Sequence, residues 1–295
     1  MQLNMKNGLL RVVNACRAVG RRLPGPLRKA GRRMVQPWKN LYHKFSRNWF
    51  LFEELVRRDF KQKYKRTVLG MGWSILSPLL QLLVMRVIFT QFFGRDMPHY
   101  TTYLFAGNLL FSFYRESTTG GMNALMSNAN IFTKINIPKY FFVLTKNVSS
   151  IINFGITLIV FFVFAAFDGI AFTWKFIMLI YPIITLVLFN IGMGLLLSAL
   201  YVFFRDTQYL YDIFTLLLSY LSAIFYYVDK YPPEMQRLFL INPVFCHIKY
   251  FRTIVIDGMI PDFSLHMICL GFALLALLVG GWMYKSKNQK FLYYV

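Results

Sequence analysis

Three charged side chains, Arg86, Arg115 and Glu116, interrupt runs that are otherwise apolar. A charge at bilayer depth costs on the order of 2.5–3.5 kcal/mol on insertion scales, so each needs a partner or water, and all three are candidates for the lining of a polar path. The competing reading has Arg86 snorkelling or pairing with a neighbouring helix, and Arg115 and Glu116 lying in a hydrated section. Adjacent residues point about 100° apart on a helix, so these two need not pair with each other. The residues alone leave both readings open. Enzymatic chemistry has little support. The chain contains no G-x-x-x-x-G-K-[ST] phosphate loop, no H-E-x-x-H zinc spacing, no G-x-S-x-G elbow and no D-x-D pair. His43, His99, His247 and His266 are dispersed, and Cys16, Cys246 and Cys269 are too few and too scattered for a disulfide framework or a metal cage. No catalytic residue and no metal site are expected.

The elements that must position these charges are set by composition. Of 295 residues, 57% are hydrophobic, 18% aromatic and only 15% charged, with a mean hydropathy of +0.46. Soluble domains run at roughly 45–50% apolar and about 25% charged, so lipid is the main solvent here. A bilayer core of about 30 Å needs roughly 20 apolar residues of helix. Six segments approach that: Met71 to Phe93, Tyr103 to Leu125, Phe141 to Phe167, Phe176 to Phe204, Ile213 to Val228 and Leu265 to Tyr284. The fifth is short, and the Tyr-Pro-Pro stretch that follows suggests a helix break that dips partly back into the membrane. The expected fold is therefore an all-α integral membrane protein with six transmembrane helices.

Orientation follows from basic residues, which stay on the cytoplasmic side. Eighteen of the 33 Lys and Arg lie in residues 1–70, and Lys134, Lys139, Lys146, Arg205, Lys285, Lys287 and Lys290 fall on the same side if both termini are inside. Only Arg95, Lys175, Lys230, Arg237, Lys249 and Arg252 are then outside, which predicts an N-in, C-in chain. The same concentration explains the net charge of +21 without nucleic acid. A juxtamembrane basic segment gains about 1 kcal/mol per Lys or Arg from anionic lipid. Residues 1–48 read as a basic cytoplasmic or interfacial arm, and no apolar core follows the start, so no secretory leader is expected.

Residues 49–70 read as an amphipathic interfacial helix. In Trp49 to Tyr64, Phe52, Leu55, Val56 and Phe60 recur at helical spacing, with Glu53, Arg57, Lys61 and Lys65 opposite. A simple membrane anchor would show the same pattern. The run then breaks at Gly70 and Gly72 and enters the membrane at Trp73, leaving residues 71–295 as the transmembrane domain with an extracellular segment at 229–263. Aromatic residues fill every span, and most of them are expected to face lipid or pack in the core. Gly192 and Gly194 are expected to permit close helix packing.

The run RRDFKQKYKRTVLGMGWSILSPLLQ, with Arg57, Asp59, Lys61, Tyr64, Lys65, Gly70, Trp73 and Pro78, resembles the first motif of type 2 ABC transporter permeases that export polysaccharides, O-antigens and teichoic acids. Later stretches agree in order: Ala106 and Gly107 through Phe111, Asn128, Lys134 and Pro138; Arg205-Asp206; and Asn242-Pro243 with Arg252. The resemblance covers about residues 49–295. One departure is Ser222-Ala223-Ile224 where many members have Ser-Pro-Ile, which puts the local bend in question.

That resemblance implies a homodimeric channel in the bacterial inner membrane, working with two copies of a separate P-loop ATPase that binds the ATP, while this chain holds no cofactor. It implies a lipid-linked glycan as substrate, with Arg57, Arg58, Lys61 and Lys65 contacting its headgroup. Arg86, Arg115, Glu116, Tyr226 and Tyr227 would contact the glycan, since sugar C–H faces pack on aromatic rings as bases do on stacking platforms. It makes the 128–140 loop the coupling helix for the ATPase, through Asn128, Lys134, Ile137 and Pro138; without the resemblance it reads as an ordinary inside loop. Two alternatives stand beside the exporter. One is a membrane glycosyltransferase or ligase on polyprenyl-linked glycans, needing an acid such as Asp229, Glu234, Asp257 or Asp262. The other is a type 2 permease for a drug or lipid.

Overall fold

The computed structural model describes residues 49–64, 69–93, 98–135, 137–287 and 290–294. The basic arm 1–48 and Lys65 lie outside the described residues. The chain falls into two units, residues 1–54 and 55–295, and the long apolar helices of the described residues lie in the second. Among the described residues all regular structure is helical.

Helix α1 spans Trp49–Tyr64. Phe52 and Leu55 are buried on it, Glu53, Arg57 and Lys61 are exposed, and Asp59 is buried on the same stripe as the apolar side chains. The amphipathic pattern is thus present, with one carboxylate on its inner face. A 3₁₀ turn at Gly70–Gly72 follows, and Gly70 has φ +51, a left-handed value that only glycine adopts without cost. Helix α2 is Trp73–Phe93 and α3 is Tyr100–Asn123. After a 3₁₀ turn at Met126–Asn128 come the one-turn α4, Ala129–Phe132, and α5, Tyr140–Phe167. A 3₁₀ segment, Trp174–Leu179, leads into α6, Ile180–Phe203, and then α7, Thr207–Leu221. Short α8, Pro233–Phe239, precedes α9, Pro243–Val255; α10 is Phe263–Lys287 and α11 is Phe291–Tyr294.

Among the described residues, three helices are long and apolar enough to cross a membrane: Tyr140–Phe167, Trp174–Phe203 and Phe263–Lys287. The α8–α9 pair, bent by 111°, makes a fourth if counted as one broken span, matching the break expected after the Tyr-Pro-Pro stretch. Helix α2 is apolar over only Trp73–Ile88. The chain is a multi-pass, all-helical membrane protein.

The fifth expected segment needs correcting, because α7 stops at Leu221 and not near Val228. Its 15 residues reach about 22 Å, short of the hydrocarbon thickness. No proline ends it. Ala223 instead adopts φ +49, and the carbonyls of Ala223 and Ile224 turn toward Arg252, at 2.8 and 3.1 Å from its Nη1 and Nη2. Asn242 secures the far side of this turn. Its Nδ2 donates to Ser222 Oγ at 3.0 Å, while its Oδ1 caps α9 by accepting from the Val244 and Phe245 amides.

Helix α3 is the hub, buried from Tyr100 to Met122 with few breaks. Its polar side chains are answered by its neighbours: Asn108 by Gln81 of α2, Ser117 by Asn147 of α5, and Thr118 by Tyr211 of α7. Rings interlock above them, Phe105 against Phe161 at 5.3 Å and Phe161 against Phe251 at 5.4 Å. Helices α6 and α10 touch backbone to backbone. A Cβ on Gly192 would collide with the main chain of Ala276 and Leu277, and one on Gly280 with the Gly192 carbonyl. Close packing is therefore the role of Gly192, and Gly194 meets Gly121 in the same way. Gly192→Val is expected to cost about 1–3 kcal/mol through overpacking, read as a lower midpoint in thermal unfolding of the detergent-solubilised chain. Gly271→Val on the same α10 has open space around it and should leave the midpoint unchanged.

Candidate functional site

Helix α1 is tied down by charge. Arg58 donates to Asp59 Oδ1 through Nε at 3.2 Å and Nη2 at 2.7 Å, and the same Nη2 reaches Asn128 Oδ1 at 2.6 Å. Lys146 of α5 lies 3.1 Å from Asp59 Oδ2, an ionic contact without hydrogen-bond alignment. The Asp59 side chain is only 3% exposed, so burying its charge requires both cations. Four residues later on the same face, Lys63 donates to Glu116 Oε1 at 2.7 Å, and Asn153 donates to Glu116 Oε2 at 2.8 Å. Spacing i, i+4 places Asp59 and Lys63 one above the other, so one helix face grips both α3 and α5.

This arrangement sorts the headgroup candidates. Arg57 and Lys61 are exposed and carry free basic surface on α1, whereas Arg58 is committed to Asp59 and Asn128. Of the candidate path-lining charges, Glu116 borders a polar cavity between α2, α3 and α5; Arg86 and Arg115 are exposed elsewhere on α2 and α3. Arg115 and Glu116 do not pair, as the helix geometry suggested. Tyr226 and Tyr227 lie apart from these charges, half-buried in the turn after α7. The Tyr226 hydroxyl donates to the Tyr220 carbonyl at 2.8 Å, and Tyr227 packs on Tyr103 at 5.0 Å.

The loop between α3 and α5 is built around Asn128. This side chain is buried, its Nδ2 donating to the Ala124 carbonyl at 2.8 Å and its Oδ1 accepting from Arg58. Lys134 is exposed, Ile137 buried and Pro138 half-buried. Lys139 lies over the rings of Phe132 and Phe291, and burial there pulls its ammonium pKa below the usual lysine range.

Two roles were missed at the level of sequence. Asp59 is the sole acidic residue in a basic run, and that isolation was the available signal. Arg252, counted above among the outside charges, is instead fully enclosed. Its Nε and Nη2 reach the Tyr103 carbonyl at 3.2 and 3.0 Å, besides the Ala223 and Ile224 carbonyls, and its guanidinium lies over the Tyr103 ring. Gly107 leaves the room, since a Cβ there would strike the guanidinium. Among the described residues no cluster of His, Cys, Asp or Glu could hold a metal ion.

Together these elements make a helical membrane chain whose first helix is clasped to an inter-helix loop, beside a cavity between α2, α3 and α5. The chain belongs to the ABC-2 type transporter family, whose model matches residues 51–256, from α1 through α9. It is similar to the O-antigen export system permease protein RfbA of Myxococcus xanthus, with 24% identity over 245 residues, covering 82% of this chain and 94% of that protein. It is also similar to an O-antigen export system permease protein RfbA of Klebsiella pneumoniae, at 28% over 220 residues and 72% and 83% coverage. The polysialic acid transport protein KpsM of Escherichia coli aligns at 22% over 244 residues, 81% of this chain and 94% of its own length. The family resemblance read from the first motif is thereby borne out.

Proposed function

We propose that this chain is the channel-forming permease subunit of an ATP-driven exporter that carries a lipid-linked polysaccharide outward across a bacterial inner membrane. It works as a homodimer with two copies of a P-loop ATPase, which bind the ATP, and it performs no catalysis itself. In the membrane it is N-in and C-in, with α2, α3, α5, α6, α7 and α10 as six membrane elements, the shorter ones bordering the pathway. The polysaccharide class follows from relatives named for O-antigen export and polysialic acid transport.

The observation that carries the mechanism is the clasp between Arg58 and Asn128. A push by the ATPase on the 128–138 loop would be delivered through it to α1, and so to the helices that α1 grips through Lys146 and Glu116. ATP binding then shifts an equilibrium between closed and open arrangements by its differential affinity for the two. Exposed Arg57 and Lys61 would attract the phosphates of the lipid anchor. A glycosyltransferase reading is less favoured, because the relatives are named for export and transport, and Asp229, Glu234, Asp257 and Asp262 do not border the cavity. Affinity purification of the tagged chain from its native membrane tests the proposal. Stoichiometric recovery of a P-loop ATPase with ATP-dependent glycan export supports it; turnover of a polyprenyl-linked sugar by the chain alone, without ATP, would sink it.

A further inference from the structure

The cavity between α2, α3 and α5 has a volume of about 380 Å³, at the small end of the range of ligand sites, roughly 300–1,000 Å³. Its charge is internally cancelled. Glu116 has one oxygen on Lys63 at 2.7 Å and the other on Asn153 at 2.8 Å, so the walls offer an anion no unpaired cation. The rest of the lining is divided between hydroxyl and amide groups and apolar side chains, Pro78, Phe105 and Leu109 among them. Asn108 Nδ2 donates to Gln81 Oε1 at 3.3 Å, leaving the Gln81 amide nitrogen as a donor and the Asn108 carbonyl as an acceptor. Ser77 and Ser112 border the same space, and their hydroxyls make no hydrogen bond to any described residue. Asn108 is buried while Ser77, Gln81 and Ser112 are exposed, so the space is open and these groups can take water or a ligand that hydrogen-bonds. Trp73, together with Phe113 stacked on Phe154 at 4.4 Å, adds ring surface beside these groups.

Amides and hydroxyls of both donor and acceptor type, aromatic and apolar faces and no net charge match the alternation of O–H and C–H surface on a sugar, and do not match a phosphate. We infer that this cavity is a binding site for a neutral carbohydrate unit of mono- or disaccharide size, held by Ser77, Gln81, Asn108 and Ser112 against the Trp73 ring. The source of that sugar, a segment of the exported glycan, rests on the export reading above. Binding itself does not, and it separates sugar recognition in the cavity from phosphate attraction at Arg57 and Lys61.

The test uses the full chain in lipid nanodiscs with Trp73 as its only tryptophan, the other four replaced by phenylalanine and monodispersity checked by size exclusion. Trp73 emission is titrated with octyl glucoside and, separately, with octylphosphocholine, which has the same tail and a zwitterionic head, each below its micelle-forming concentration. A saturable response to the glucoside, at least about tenfold tighter than to the phosphocholine, is expected. Asn108→Leu with Ser112→Leu should weaken it about tenfold, the loss of two or more hydrogen bonds to a ligand. The gentler Ser112→Ala should weaken it severalfold in a chain whose fold is barely touched. Equal response to both heads, preference for phosphocholine, or a glucoside response indifferent to these variants would each overturn the inference. Export measured in parallel keeps the two readings apart. Glycan export with no sugar binding in the cavity removes only the cavity site, and selective glucoside binding in a chain that exports no glycan removes only the exporter.

Discussion

Arg252→Met is expected to lower the thermal midpoint and the yield of folded chain more than any other single change on α9. The guanidinium is the common partner of the Tyr103, Ala223 and Ile224 carbonyls, which belong to α3 and to the turn after α7. Methionine fills most of the volume but removes the charged donor from these buried acceptors, each at about 1–3 kcal/mol, so a total of about 3 kcal/mol or more is expected. The turn depends on that donor, since Ala223 sits in a left-handed conformation that costs a non-glycine residue roughly 1–2 kcal/mol. Arg252→Lys should recover only part of the loss, because an ammonium cannot present the planar fork. Gly107→Ala is the independent check. Its new methyl would occupy the place of the guanidinium, so the substitution should itself destabilise, yet add little on top of Arg252→Met. Additive losses in that double-mutant cycle, measured by thermal unfolding in detergent, would mean that Arg252 and Gly107 act separately.

Arg252 also shows where a sequence stops being legible. Counting basic residues treats every Arg as a solvent-side label, and that works for Lys134 or Lys285, which are exposed. It fails for a guanidinium that folds inward onto carbonyls supplied by residues about 30 and 150 positions away, because nothing local announces those partners. The long apolar helices were legible because hydrophobic runs of 25 or more residues have no other stable home: α5, α6 with its 3₁₀ lead-in, and α10 fall within a few residues of expectation. Helix α3 was found for the same reason, although its polar residues dilute its hydropathy. Those residues are satisfied sideways by α2, α5 and α7, which composition cannot reveal. The end of α7 was misplaced because the stop is tertiary: the turn at Ser222 and Ala223 is made by Asn242 and Arg252, not by a local proline. In the site, the exposed basic residues of α1 were readable from periodicity. Whether a given cation was free or committed was not, since Arg57 and Arg58 are identical in type and adjacent in the chain, and only the helix phase separates them.

That phase makes Asp59 the most informative residue for the mechanism. Asp59→Asn keeps the shape of the side chain and removes the charge that holds Arg58 and Lys146 together. Their side chains are 37% and 23% exposed, so water screens part of the interaction, and about 1–2 kcal/mol of clasp is expected to be lost rather than the larger cost of breaking a fully buried pair. Because 1.4 kcal/mol is a factor of ten in an equilibrium, the variant should assemble with its ATPase and hydrolyse ATP near the normal rate while exporting glycan about tenfold more slowly. The ATPase would still move the loop and, through Arg58 and Asn128, α1, but α1 would no longer carry α5 with it. Lys146→Gln removes one of the two cations and should give a smaller export defect of the same kind. Asp59→Lys combined with Lys146→Asp restores the α1–α5 contact with reversed sign but sets the new ammonium against the Arg58 guanidinium, so rescue should be partial. The paired assay of ATP hydrolysis and export decides between linkage and mere packing. A packing defect lowers both activities together and is indifferent to restoring opposite charge, whereas a severed linkage separates hydrolysis from export and answers to the sign of the charge at position 59.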